Sequence, residues 1–78
     1  MRSPIQQYII DRVREKRLAI GMSQEKLSIA LDFESQGYIS KIESSSGSYD
    51  DHYNIDHLNE IAKIFKCSPK DFFPVVPL

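Results

Sequence analysis

Between Ser23 and Glu43 the chain has room for only two short helices and a turn, and neither helix is long enough to be stable without tertiary packing. Ser23 can cap the first through its hydroxyl. Leu27 and Leu31, with Ala30 beside them, give that helix one narrow apolar stripe. Asp32, Phe33 and Glu34 break the pattern, and Ser35 can cap a second helix in which Ile39 and Ile42 share a face. Gln36, Gly37, Ser40 and Lys41 fall on the opposite face, which is small and polar. A packed helix that presents such a surface suits insertion into a groove.

The rest of the chain supplies the packing. Ser3, Pro4 and Gln6 form a helix-start signature with a capping box, and Ile5, Ile9, Val13, Arg17 and Ile20 recur at helical steps, with Tyr8 and Ile10 flanking, until Gly21 provides a stop. Arg17 is the one charge on that stripe. Asn54 caps a further helix carrying Ile55, Leu58, Ile61, Ala62 and Phe65, with Asp56, Asn59, Lys63 and Lys66 outside. Ser68-Pro69-Lys70-Asp71 repeats the start signal and opens a short fifth helix through Phe73, which Pro74 ends. Residues 44–53 are rich in turn formers and are expected to be an exposed loop, and 74–78 an apolar tail. No strand alternation is present. The expectation is an all-α compact bundle of about five helices forming one domain over residues 1–78.

Composition narrows the function classes. Seventy-eight residues leave little room for a catalytic cleft, and no carboxylate pair, nucleophile with a base or glycine-rich phosphate loop appears, so no enzymatic activity is expected. Cys67 is the only cysteine, which excludes an intrachain disulfide or a cysteine-based zinc site. With no signal-like or membrane-spanning run, the expected location is the cytoplasm. His52 and His57 offer too few converging ligands for a metal, and no cofactor is expected. Net charge is −1, low for a polyanion binder, yet residues 1–26 hold six basic groups against three acidic ones. That half can present a basic face, on which Arg12, Arg14 and Lys16 are candidate phosphate contacts.

Gly21-Met22-Ser23-Gln24-Glu25-Lys26-Leu27, followed by Tyr38-Ile39-Ser40-Lys41-Ile42-Glu43, resembles the Cro and phage-repressor type of helix-turn-helix, the XRE family. Ile61-Ala62-Lys63-Ile64-Phe65 fits it too, and the likeness runs from about Arg12 to Phe73. The resemblance implies a lambda-repressor-like bundle that binds double-stranded DNA as a homodimer, with the second motif helix in the major groove. It implies a phosphate contact for Gln24 and for Ser35, and base readout from the face of Gln36, Gly37, Ser40 and Lys41. Gly37 has no side chain, so readout rests on Gln36 and Lys41. Ser28 and Asp32 stand where the family prefers Ala and Gly, and the turn is one residue longer.

Two further expectations concern contacts. Arg17 needs a partner, and Glu43, closing the recognition helix on the same side, is expected to supply it. Phe72, Phe73, Val75, Val76 and Leu78 are expected to form a self-association surface. The function these features imply is a sequence-specific transcriptional regulator, most simply a repressor. The alternative is a protein-interaction module on the same fold that has lost DNA binding, as the net charge suggests.

Overall fold

The computed structural model describes residues 2–32, 37–44 and 51–78. Among them lie four α-helices, α1 (Pro4–Ala19), α2 (Gln24–Ala30), α3 (Gly37–Glu43) and α4 (Ile55–Phe65), then a single 3-10 turn at Pro69–Phe72, and no strand. The expected fifth helix is therefore only a turn. Phe73 is held extended (φ −102°, ψ 150°) ahead of Pro74, as a residue before proline prefers, so the segment stops after four residues.

The starts and stops follow from local chemistry. Ser3 Oγ accepts from the Gln6 amide at 3.2 Å and Gln6 Oε1 accepts from the Ser3 amide at 2.9 Å, closing the capping box of α1. Ser23 Oγ accepts from Lys26 N at 3.0 Å to begin α2. At α4, Asn54 Oδ1 accepts from His57 N at 2.7 Å, and His57 Nδ1 accepts in return from the Asn54 amide at 3.4 Å. Helices α1, α2 and α4 each run into a left-handed residue: Gly21 (φ +70°), Asp32 (φ +57°) and Lys66 (φ +57°). After α1, Met22 N bonds Arg17 O and Gly21 N bonds Leu18 O. Cys67 and Lys66 repeat this onto Ala62 and Lys63, so both ends are Schellman motifs. Asp32 thus occupies a position whose backbone favours glycine, which accounts for the family preference it departs from.

Ile10, Val13, Leu27, Ile39, Ile42, Leu58, Ile61 and Phe72 form the centre of the core. α3 lies across α2 and α1, and the 3-10 turn packs between α1 and α4, where Phe65 and Phe72 meet edge-on at 6.3 Å. Several expectations change here. Ala30 is exposed, and Ser28 is buried in its place. Ile5 and Ile20 lie at the exposed ends of the α1 stripe. Ile55, first in α4, is 80% exposed. Within the expected loop, residues 45–50 lie outside the described residues, but Tyr53 is a core residue rather than a surface one. Phe72 belongs to the core, whereas Phe73, Val75, Val76 and Leu78 remain on the surface.

Candidate nucleic-acid interface

α3 is amphipathic in the simplest way: Ile39 and Ile42 are fully buried, while Gly37, Ser40 and Lys41 face outward. Ser35 and Gln36 lie outside the described residues, so their expected contacts have no geometry here.

What holds that outward face in place is a carboxylate. Glu43 accepts two parallel bonds from Arg17, Nε to Oε2 at 2.9 Å and a terminal nitrogen to Oε1 at 2.7 Å. The remaining terminal nitrogen of Arg17 donates to the Met22 carbonyl at 2.6 Å. Both side chains are almost wholly buried, at 6% and 2% exposure. One guanidinium thereby joins the last turn of α1, the approach to α2 and the end of α3. A fork matching a carboxylate in this way fixes angle as well as distance.

Gln24 is drawn into the same network. Its Nε2 donates to Glu43 Oε1 at 3.0 Å, so the side chain expected to meet a phosphate spends one amide hydrogen tying α2 to α3. Arg14, more than half exposed, stands 3.8 Å from the same oxygen. Arg14, Gln24, Ser40 and Glu43 line an open cleft of about 460 Å³ together with Gln7 and Asp11, where Gln7 Nε2 donates to Asp11 Oδ1 at 3.0 Å. The structure so brings one expected contact from each of α1, α2 and α3 to one place. Arg14 and Arg17 are balanced there by Asp11 and Glu43, so attraction for a polyanion has to come from groups that reach past the cleft, such as Arg14 and Lys41.

Lys16 is not among them. Two residues along a helix turn the side chain by about 200°, and Lys16 borders Ala19, Ile20, Phe65 and Cys67 on the far side of α1. Arg12 also faces away, donating to Glu15 at 2.9 Å and to the Asp71 carbonyl at 3.3 Å. The basic half of the sequence is thus split between two surfaces. Burial pushes the Cys67 thiol up from its ordinary value.

Two residues carry more than their sequence context signals. Tyr53 is a core residue within electrostatic reach of Glu43 and Arg17, its hydroxyl buried and without a hydrogen-bond partner among the described residues. Burial first and the nearby Glu43 second push its ionisation far above the ordinary tyrosine range. Arg2, before the first helix, reaches the carbonyls at the end of α3. Neither contact leaves a periodic trace, and only the unusual placement of a charge or an aromatic beside a cap could have drawn attention to them.

Among the described residues no group of three or more metal-binding side chains converges, and no helix is long and apolar enough to cross a membrane. No curated protein and no solved structure matches the chain significantly. A helix-turn-helix family model matches residues 13–72, a span that contains α2, α3, α4 and the 3-10 turn together with both members of the Arg17–Glu43 pair. A match over most of the sequence shows the membership that the motif strings resemble: the chain belongs to the XRE-type helix-turn-helix family of DNA-binding regulatory domains.

Proposed function

We propose that this protein is a sequence-specific transcriptional regulator, most simply a repressor that occupies an operator, with α3 lying in the major groove. The observation that carries the reading is the exposed Gly37–Ser40–Lys41 face set opposite fully buried Ile39 and Ile42 and locked to α1 by a buried arginine fork. Only a helix held this rigidly can present donors to base edges in a fixed register. Lys41 can donate to guanine O6 and N7, and Gln36 can pair with adenine N6 and N7. Ser40 sits beside them at the cleft. Arg14, Gln24 and Ser35 position the backbone, Gln24 with the amide hydrogen that Glu43 does not take. Lys16 is left out of this footprint.

The proposed working form is a homodimer, supported by the exposed apolar side chains of Ile55, Phe73, Val76 and Leu78. Selection of bound duplexes from a random pool tests function and assembly together. A recurring palindrome is the expected result. Recovery of no preferred duplex, with no salt-dependent shift of any duplex, would leave the interaction-module alternative in its place.

A further inference from the structure

Arg2 is counted in the sequence only as one more positive charge near the start. In the structure its guanidinium donates to five acceptors. Nε donates to the Asp51 carbonyl at 2.9 Å. One terminal nitrogen donates to Gln7 Oε1 and to the Ser44 carbonyl, each at 3.2 Å. The other donates to the Ile42 carbonyl at 2.7 Å and, at the limit of bonding distance, to Lys41 O at 3.5 Å. A guanidinium has five N–H donors, and five acceptors stand against them.

Three of those acceptors are carbonyls at the C-terminal end of α3. The last carbonyls of a helix have no partner within it, and a cation beside them is favoured by the helix dipole. For a helix of seven residues, such a cap stabilises a large share of its length. The position of Arg2 is itself fixed, because the next residue, Ser3, is locked in the capping box of α1. α1 therefore grips α3 at two points, through the Glu43 side chain from Arg17 and through the backbone of the final turn from Arg2. The bond to Asp51 adds the segment that leads into α4.

We propose that Arg2 is a positioning residue for DNA recognition, setting the pitch and depth of α3 from outside the helix-turn-helix motif while contacting no nucleic acid itself. This rests on the DNA-binding reading above. With its donors taken up by the protein, Arg2 has none to offer a phosphate, and that distinguishes it from an ordinary basic contact.

The test uses the full chain, a duplex selected from a random pool, and a duplex of unrelated sequence, each titrated over a salt series. Arg2→Ala should lose roughly tenfold on the selected duplex and less than about twofold on the unrelated one, in the range of an ordinary coupling between sites. The log–log salt slope should not change. Arg2→Lys should keep the charge at the helix end and melt close to wild type, but retain the selectivity defect, because one ammonium cannot bridge α3, Gln7 and Asp51. Equal losses on both duplexes, or a slope lower by about one unit, would mark Arg2 as a phosphate contact and overturn the proposal. Full selectivity in Arg2→Lys would reduce the role to charge alone and overturn it as well. Wild type that prefers no duplex removes the DNA reading and this role together, whereas selective wild type with an equally selective Arg2→Ala removes this role alone.

Discussion

Removing Glu43 should do more damage than removing Arg17, although the two form one pair. Both side chains are almost fully buried, so solvent screens them little, and leaving one charge unpaired there costs about 3–5 kcal/mol. A chain of 78 residues has a total stability of about 4–12 kcal/mol at the usual value per residue, so either change threatens the fold. The asymmetry comes from what remains. Without Arg17, Glu43 keeps the Gln24 amide at 3.0 Å and has Arg14 at 3.8 Å, close enough to move in. Without Glu43, Arg17 keeps only the Met22 carbonyl. Glu43→Leu should therefore fall near the upper end of the range and Arg17→Met near the lower. At about 4–8 °C per kcal/mol, that corresponds to a melting temperature lower by about 12–24 °C for Arg17→Met and by about 20–40 °C for Glu43→Leu. The double variant should recover most of the loss, since an apolar pair of similar volume avoids the desolvation of both ions. Thermal and urea melts of wild type, both singles and the double give the coupling directly. Strict additivity, or Arg17→Met proving the worse of the two, would refute the argument.

Other outcomes follow from single residues. Tyr53→Phe should be neutral or stabilise by up to about 1 kcal/mol, because it deletes a buried hydroxyl that has no partner among the described residues; a loss above about 1 kcal/mol in urea melts would reveal a bond made elsewhere. Since folding raises the Tyr53 ionisation above its ordinary 10.0, its contribution is present below that pH and lost as the pH rises past it. Wild type should therefore weaken more steeply than Tyr53→Phe above pH 10.0. Asp32→Gly should stabilise by roughly 0.5 kcal/mol, the relief of a left-handed conformation minus the added chain entropy, helped by removal of a negative charge from the end of α2. Destabilisation in a thermal melt would show that the aspartate makes a compensating contact. Arg14→Ala should lower affinity on all duplexes and flatten the salt dependence by about one unit, while Lys16→Ala should leave both unchanged; the reverse would misplace the footprint.

The parts of the fold that were legible are those governed by local rules. Ser3, Ser23 and Asn54 cap helices because a short polar side chain before a periodic apolar run has one favourable use. Ile39 and Ile42 place the outward face of α3 by geometry alone. Arg17 could be matched to Glu43 because a charge on an apolar stripe demands compensation. What escaped the sequence was long-range or competitive. Arg2 acts through carbonyls some forty residues away, and backbone acceptors carry no residue code. Tyr53 lies in a turn-rich stretch whose composition signals exposure, but the core beneath α3 needs its ring. Ile55 fits the apolar period of α4 and still faces out, since position one of a helix lies beyond the edge of what the helix covers. Arg14 and Lys16 were alike in charge, and only the helical turn between them separates their surfaces.

The central claim is that the outward face of α3 reads base edges, and the most direct measurement compares Lys41→Ala and Gln36→Ala with wild type on a selected duplex and on an unrelated one. Each substitution is expected to cost roughly 1–3 kcal/mol on the selected site and to relax preference at one base pair, leaving binding to the unrelated duplex nearly intact. Equal losses on both duplexes would contradict the claim.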